Sequence, residues 1–356
     1  MFHSRQAFAN AFTVVLTTAL LLLIGFAVNA QAAVTPGEFD FATCPTGKPY
    51  AGSKRAPLAV GFVTDQFQVA RYQRKVGTRN RLGFYSNFEA WAKNRDPRQA
   101  FQQGNLNRVL PYVTWEPWEN VPNDANQSQP QPEWTNAAIA SGAHDDYIRQ
   151  WAAAVKANGR PVYLRLAHEM NGTSYPWSLD PQSYVAAWQH VVTLFREAGA
   201  RNARFVFSVN ANTYQSRDQW CAGFMQYWPG AEYVDAVGMT TIQFGGPKAR
   251  NYSVANFAKR IAVLRHLGKP IHLSEANAEY KERVKWFRDL GAYVGKSPWV
   301  EALIVSQAPS RAVGLDGVRG NMTWDIRKDA PTLKSLKDLM HDRPLLGRSA
   351  KAAKHS

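Results

Sequence analysis

The fold of this chain is decided by residues 145–167, which read DDYIRQWAAAVKANGRPVYLRLA. Apolar side chains recur at helical spacing up to Ala157, and the first turn carries two acidic residues, which the positive end of a helix dipole favours. Asn158-Gly159 is typical of a helix C-terminus. The apolar run Val162–Ala167 then predicts a short buried strand. This segment therefore predicts the helix–strand unit of an α/β protein.

The same alternation of strand and helix recurs along the whole chain. The eight predicted strands are Leu58–Val63, Leu82–Phe88, Val109–Trp115, Val162–Ala167, Phe205–Val209, Val234–Met239, Ile271–Ser274 and Ala302–Ser306. Besides Asp145–Ala157, the clearest helical patterns are Pro181–Ala198, Val254–Leu267 and Glu279–Val294. Eight strand–helix repeats are typical of a (β/α)8 barrel. We therefore predict the α/β class and a single TIM barrel.

The N-terminus has the pattern of a secretory signal peptide. Arg5 precedes an apolar run from Ala11 to Val28, and small residues follow it. We predict a signal peptide in residues 1–33, cleaved after Ala30 or Ala33. An uncleaved membrane anchor is the alternative, because the run approaches spanning length. The signal peptide predicts a secreted or periplasmic protein with no stable membrane insertion after cleavage.

The remaining chain is predicted to form one domain, because no long linker divides it and its length is that of one barrel. We assign the barrel to residues 34–346. Within it, residues 34–57 look irregular and are expected to wrap around the outside. Residues 347–356 are expected to form a basic, disordered tail.

The charge balance is strongly basic, with 42 Lys and Arg against 27 Asp and Glu. Such an excess favours anionic partners. The basic residues are spread along the chain and no nucleic-acid motif accompanies them, so we expect no nucleic-acid partner. The simpler interpretations are work among anionic envelope glycans or a solvated basic face. We expect a monomer.

Cys44 and Cys221 are the two cysteines. In an oxidising compartment they suit a single long-range disulfide, and two separate free thiols are the alternative. Two cysteines cannot make a tetrahedral zinc site, and no cluster of histidines assists them. The acidic residues also lack a dense oxygen-ligand loop. We therefore predict neither a metal nor another cofactor.

Polar side chains follow four of the predicted strands. Glu116 lies just past the third strand, His168 and Glu169 follow the fourth, Asn210 follows the fifth and Glu275 follows the seventh. The carboxyl ends of barrel strands meet at one rim, where active sites are built. Two opposed carboxylates suit the cleavage of a glycosidic bond, since one protonates the leaving oxygen and the other attacks the anomeric carbon.

Aromatic and amide side chains surround these positions. A sugar needs flat apolar surfaces for its C–H faces and hydrogen bonds for its hydroxyl groups. The predicted substrate-binding residues are His168, Trp115, Glu116, Trp118, Asn171, Tyr175, Trp177, Asn210 and Gln243. Together with the carboxylates they predict a site for a polysaccharide.

These motifs resemble glycoside hydrolase family 26, which includes endo-β-mannanases and mixed-linkage β-glucanases. The most specific motif is Arg165–Gly172 (RLAHEMNG), which is similar to the family's fourth-strand signature almost letter for letter. The other similar segments, in order, are Val60–Val63, Thr114–Trp118, Gly142–Ile148, Tyr233–Gly238 and Trp324–Ile326. The resemblance covers most of the chain after the signal peptide.

The resemblance implies a role for each matching residue. Glu169 would be the acid/base and Glu275 the nucleophile of a retaining, double-displacement mechanism that needs no cofactor. His168 would hydrogen-bond the sugar beside the nucleophile, and Trp115 and Trp177 would stack on sugar rings. Arg165 is either a positive partner for the carboxylates or a structural arginine.

The chain also departs from the family pattern. Ser174 stands where many relatives have an aromatic residue, and Ala276-Asn277 after Glu275 is unusual. After Gly238 relatives continue Ile-Asp-Gly-Tyr, whereas this chain continues 239–242 as Met-Thr-Thr-Ile. The tyrosine that would touch the nucleophile is therefore missing, and Gln243 or Tyr214 could replace it.

These observations predict a secreted, retaining endo-glycoside hydrolase. Its candidate substrates are β-mannan, mixed-linkage β-glucan, β-1,3-xylan and a bacterial exopolysaccharide, between which the sequence does not choose. The alternative is a catalytically inactive barrel that binds carbohydrate, which the changes after Gly238 and Glu275 suggest. A basic protein that only adheres to anionic polymers explains the charge but not the ordered motifs.

Overall fold

The computed structural model describes residues 43–53, 57–63, 69–76, 82–119, 131–245, 249–307 and 325–342. The predicted signal peptide and basic tail lie outside these residues, as does Trp324 of the last family motif. None of the helices within the described ranges combines the length and the apolar character needed to cross a membrane.

Eight parallel strands form a closed barrel, and each strand pairs with the next in chain order. The last strand pairs with the first and closes the ring. The strands are β1 Ala59–Val63, β2 Phe84–Ala90, β3 Leu110–Glu116, β4 Val162–Leu166, β5 Ala203–Asn210, β6 Ala236–Gln243, β7 Ile271–Ala278 and β8 Val300–Ser306. The predicted (β/α)8 barrel and all eight of its strands are confirmed.

Helices follow the strands around the outside of the barrel. The α-helices in the described residues are α1 Val69–Lys75, α2 Pro97–Leu106, α3 Asn136–Ala140, α4 Asp145–Asn158, α5 Pro181–Glu197, α6 Arg217–Met225, α7 Val254–Leu264, α8 Tyr280–Gly295 and α9 Ala330–Asp342. The four predicted helices are confirmed to within a few residues. Helix α7 is shorter than predicted because its last turn, Arg265–Leu267, is a 3-10 helix.

The lower interior of the barrel is filled by aromatic rings. Tyr112 lies at its centre, with ring centroids 5.3 Å from Phe84, 6.0 Å from Tyr163 and 5.9 Å from His272. Because side chains alternate along a strand, the residues two positions onward in β3 and β4 also face inward. These positions hold the polar residues Thr114 and Arg165. The interior therefore becomes polar toward the carboxyl ends of the strands.

A layer of small residues lies above the rings. The Tyr112 hydroxyl lies 2.8 Å from the Ser274 Oγ. A Cβ added to Gly238 would lie 2.3 Å from the same oxygen and 2.8 Å from the Cβ of Ser208. Glycine is therefore required at this point of β6, where three strands approach closely inside the barrel.

Strand β7 is longer than the predicted Ile271–Ser274 and contains an irregularity. Its register shifts against β6 between Met239 and Thr240, and against β8 between Leu273 and Ala276. A β-bulge of this kind bends a strand and redirects a side chain. Ser274 and the next residue, Glu275, both reach groups inside the barrel as a result. Glu275 therefore lies within the strand, rather than after it as predicted.

The described part of the predicted N-terminal wrap, residues 43–53, is irregular and lies against the outside of the barrel. The Tyr50 N–H donates to the Arg265 carbonyl at 2.7 Å, and the Arg265 Nε donates to the Tyr50 carbonyl at 2.9 Å. Cys44 forms a disulfide with Cys221 of α6 across 177 positions of sequence. The predicted disulfide is confirmed, and it attaches the N-terminal segment to the barrel.

Candidate active site

Arg165 is the central side chain of the site and is completely buried. From β4 its Nη1 donates to the Oε1 of Glu275 at 2.6 Å, and its Nη2 lies 3.5 Å from the Oε1 of Glu169. The Nε donates to Ser208 at 2.9 Å, and the Nη2 donates to Thr240 at 2.8 Å. A buried charge is tolerated only when it is paired and hydrogen-bonded, as this one is. Arg165 is therefore a positive partner shared by both carboxylates.

Glu169 is held on both of its carboxylate oxygens. The Asn210 Nδ2 donates to Oε2 at 2.9 Å, and the Thr240 hydroxyl donates to Oε1. The backbone at Ala167 and Glu169 is left-handed, with φ of 40° and 56°. Non-glycine residues rarely adopt such angles, and they concentrate at functional sites. The Glu169 N–H donates to the Ser208 carbonyl at 2.7 Å, which holds this turn against β5.

Glu275 faces Glu169 across the guanidinium of Arg165. One carboxylate oxygen of each residue and one nitrogen of His168 all lie within 4.8 Å of one another. Burial raises the pKa of Glu275, and the adjacent guanidinium opposes that rise by favouring the carboxylate. The predicted pair of opposed carboxylates is thus brought together at the barrel rim.

His168 is buried beside the two carboxylates. Its Nε2 lies 3.0 Å from the Tyr175 hydroxyl, and the ring of Phe88 approaches it edge to face at 5.9 Å. Burial holds the pKa of His168 well below its usual value, so the imidazole is neutral. Its Nδ1 lies 4.0 Å from the Oε1 of Glu116, the last residue of β3.

Glu116 is a buried carboxyl group beside a neutral imidazole. Burial raises the pKa of Glu116 from 4.5 to about 8, so the group is protonated at neutral pH. Between pH 4.5 and about pH 8, Glu116 therefore binds more protons in the folded protein than in the unfolded chain. The free energy of unfolding therefore falls as the pH rises from about 4.5 to about 8.

Glu116→Gln is expected to remove this pH dependence, because an amide of nearly the same shape does not ionise. Relative to wild type, the variant should gain a few kcal/mol of stability between pH 5 and pH 8.5, as roughly 1.4 kcal/mol accompanies each pKa unit. Urea unfolding across this pH range measures the difference. Glu197→Gln, at a side chain that is 57% exposed, is the matched control and should show no such trend. Unfolding curves of E116Q and wild type that differ equally at all pH values would contradict the assignment.

The aromatic residues after β4 form a layered stack. Tyr175 stacks on Trp177 with ring centroids 4.5 Å apart, and Trp118 meets both rings edge to face at 5.3 Å. Trp177 is 1% exposed and Trp118 is 2% exposed, whereas Tyr175 is half-buried. The indole of Trp177 donates to the His168 carbonyl at 2.8 Å. The prediction that Trp177 and Trp118 contact sugar directly is therefore corrected: they support Tyr175, which offers the accessible ring.

The prediction that Trp115 stacks on a sugar is wrong. Trp115 is fully buried outside the barrel, where its ring packs against Trp91 at 4.6 Å and Trp151 at 4.9 Å. Its Nε1 donates to the Tyr147 hydroxyl at 3.3 Å. Side chains alternate along a strand, and the next residue, Glu116, faces the site. Trp115 must then point away from the site.

Two predicted substrate-binding amides hold the backbone of the rim. The Asn171 side chain donates to the Asn210 carbonyl and accepts from the Asn210 N–H, both at 2.8 Å. The buried Gln243 accepts from the Glu279 N–H through its side-chain oxygen at 3.3 Å. These contacts place Asn171 and Gln243 as structural supports. Asn210, in contrast, bonds Glu169 directly.

Thr240 lies two residues before Ile242, which stands at the position of the family's tyrosine. The Thr240 hydroxyl contacts Glu169 and Arg165, so this residue supports the acid candidate rather than the nucleophile candidate. Tyr214 is 60% exposed and Gln243 is engaged elsewhere, so the structure supports neither as the replacement. The sequence reasoning missed the roles of Thr240 and Ser208. Both are polar residues near the carboxyl ends of their strands, β6 and β5, and this was the available signal.

His168, Glu169 and Glu275 are the group of side chains, within the described residues, whose spacing could hold a metal ion. The Arg165 guanidinium lies 2.6 Å from Glu275 and already supplies the positive charge that these carboxylates require. A divalent cation would be repelled by it. The arrangement favours a guanidinium-paired carboxylate site.

The comparison with protein families identifies the class as a glycoside hydrolase. Residues 124–302 match the model described as glycosyl hydrolase family 26. This match spans half of the chain, and the chain belongs to glycosyl hydrolase family 26.

Two curated relatives share part of the sequence. Endoglucanase H of Acetivibrio thermocellus is 30% identical over 191 residues, which are 50% of this chain and 19% of that protein. The β-1,3-xylanase TXYA of a Vibrio species is 28% identical over 143 residues, 40% of this chain and 28% of that protein. The chain therefore spans less than a third of the length of either relative.

Solved structures share the fold at low sequence identity. A family 26 β-mannanase from Bacteroides ovatus superposes with a TM-score of 0.58 at 14% identity, covering 85% of this chain and 95% of that one. An endo-β-1,4-mannanase double mutant from Cellulomonas fimi also gives 0.58 at 14% identity, covering 87% and 79%. At this identity the likeness establishes the barrel alone.

Proposed function

We propose that the chain is a retaining endo-glycoside hydrolase that cleaves β-linked polysaccharide through a covalent glycosyl-enzyme. The observation that carries the proposal is the pairing of Glu169 and Glu275 on one buried arginine, with oxygens within 4.8 Å. Retaining enzymes place their carboxyl groups about 5–5.5 Å apart, whereas inverting enzymes leave about 6.5–9.5 Å for a water molecule. The short separation supports direct attack by a carboxylate.

In the first step Glu275 attacks the anomeric carbon. The glycosidic bond breaks, its electron pair goes to the leaving oxygen, and Glu169 gives that oxygen its proton. Arg165 favours the carboxylate form of Glu275 for this attack, because its guanidinium donates to Oε1 at 2.6 Å and opposes the effect of burial.

In the second step the roles reverse. Glu169 takes a proton from water, the resulting hydroxide attacks the anomeric carbon, and Glu275 leaves as a carboxylate. Arg165 contacts both residues and therefore stays close to the negative charge as it moves between them. The accessible face of Tyr175 would orient the sugar that undergoes reaction, and the buried, neutral His168 would hold the Tyr175 hydroxyl in place.

The candidate polymers are β-mannan, mixed-linkage β-glucan, β-1,3-xylan and a bacterial exopolysaccharide. The names of the similar proteins, an endoglucanase, a β-1,3-xylanase and two β-mannanases, support the glucan, xylan and mannan members of this range and endo-action. We also propose that the protein is exported. The pattern of residues 1–33 supports export, and the Cys44–Cys221 disulfide suits an oxidising compartment.

Wild type is expected to release reducing ends from one polymer of this panel and to lower its viscosity early in the reaction, since internal cuts shorten chains fastest. Reducing-sugar assays, viscometry and chromatography of the products measure both effects. Proton NMR of the first product should show the anomeric configuration of the substrate. An inverted first product would contradict double displacement, and binding of a polymer without cleavage would instead establish an inactive carbohydrate-binding barrel.

A further inference from the structure

Tyr214 is an exposed aromatic side chain on the rim of the barrel. It lies four residues after the last residue of β5 and is 60% exposed. The exposed large hydrophobic side chains among the described residues are few: Leu106, Leu179, Tyr214, Tyr280 and Val284. On the active-site face, the exposed ring of Tyr214 is available to contact a ligand.

The backbone that carries Tyr214 is held in place. The Gln215 N–H donates to the Asn212 carbonyl at 2.9 Å, which closes a turn with Tyr214 inside it. Arg260 of α7 donates to the Gln215 carbonyl at 2.5 Å and to the Asn212 carbonyl at 3.4 Å. The Arg260 guanidinium lies over the Trp220 ring, 4.6 Å from its centroid. The turn is therefore preorganised while the Tyr214 side chain remains accessible.

Two hydrogen bonds connect this turn to the acid candidate. The Asn212 N–H donates to the Asn210 Oδ1 at 3.0 Å, and the Asn210 Nδ2 donates to Glu169 at 2.9 Å. An acid that protonates the leaving oxygen lies on the leaving-group side of the cleaved bond. Tyr214 follows β5, which is the strand next to β4, and Glu169 follows β4.

We propose that Tyr214 is a stacking platform for a sugar on the leaving-group side of the cleaved bond. This inference rests on the proposed hydrolase function and adds a binding position to it. The ligand is a sugar unit of the β-linked polysaccharide, whose C–H face lies flat on the phenol ring. A rigid aromatic residue on a preorganised turn binds with little loss of conformational freedom, which favours this use.

The test measures how the glycosyl-enzyme divides between water and a sugar acceptor. The donor is an aryl β-glycoside of the oligosaccharide that wild type releases from its polymer, and the acceptor is that oligosaccharide itself. The acceptor must occupy the leaving-group side. Tyr214→Ala is expected to lower acceptor transfer relative to hydrolysis about tenfold, the effect of losing one aromatic contact. Tyr214→Phe keeps the ring and should transfer nearly as wild type does.

Leu106→Ala is the matched control, since Leu106 is 69% exposed at the end of α2, before β3 begins. It should leave the division between acceptor and water unchanged. An active wild type whose transfer is unaffected by Y214A overturns the inference alone. Equal losses in Y214A and Y214F also overturn it, because they point to the hydroxyl. A wild type that cleaves no polymer of the panel overturns the proposed function, and this inference with it.

Discussion

Glu275→Ala is expected to lower kcat by roughly 10⁴-fold or more, since loss of a nucleophile removes the covalent route altogether. The variant should bind the polymer that wild type cleaves, because Tyr175 and the two tryptophans that support its ring are unchanged. Glu275→Gln is the more conservative substitution, because the amide oxygen can still accept a hydrogen bond from Arg165. Both variants are measured with an aryl glycoside and with the polymer, and their melting temperatures show whether they fold.

The stereochemistry of azide rescue identifies the role of Glu275. With the carboxylate removed, azide can attack the anomeric carbon from the same face and leave a glycosyl azide of inverted configuration. Glu197→Gln, on the outer surface of α5, is the control and should retain wild-type kcat. Activity of E275A within about tenfold of wild type would exclude Glu275 as nucleophile.

Glu169→Ala is expected to have a large effect that depends on the leaving group. General acid catalysis contributes about 10²–10⁴-fold, and an aryl group that leaves as a stable phenolate needs little of it. The kcat/KM should therefore fall steeply for the polymer and far less for an activated aryl glycoside. For the aryl substrate kcat should be limited by the second step, since water has lost its base.

Azide again distinguishes the two carboxylates. In E169A it needs no base and attacks the glycosyl-enzyme from the face that water uses, so the azide product keeps the substrate configuration. The product of E275A has the opposite configuration. Equal losses of kcat/KM on polymer and aryl substrate in E169A would rule out its role as acid.

The strand–helix alternation was predictable because each element carries its own pattern. Helix α4 has acidic residues in its first turn and an αL glycine at its end, and strand β4 begins three residues after Gly159. Local signals of this kind place elements within a few residues of their true ends. The barrel follows from their repetition.

Side-chain direction was predictable only where the strands are regular. Trp115 and Glu116 are neighbours on β3, so only one of them can face the site. If Glu116 faces the site, the alternation of side chains along the strand directs Trp115 away from it. The bulge in β7 breaks that rule, and it brings Glu275 inward directly after Ser274. No local pattern in the sequence marks that irregularity.

Contacts between distant segments were the least predictable part of the site. Arg165 was a possible partner of the carboxylates, but its bonds to Ser208 and Thr240 join three strands. Such bonds depend on the register of the barrel, which one sequence does not specify. The hydrogen bonds of Asn171 to the Asn210 backbone depend on the register in the same way. The sequence motif that contains Asn171 does not predict them.

The Cys44–Cys221 bond also makes a covalent loop that includes the first five strands of the barrel. A protease that cuts once between these cysteines releases no fragment, because both pieces stay joined through sulfur. Such a nicked protein would migrate as one band on a denaturing gel without reductant and as two bands with it. The enzyme could thus be cut once anywhere between Cys44 and Cys221 and remain in one covalent piece.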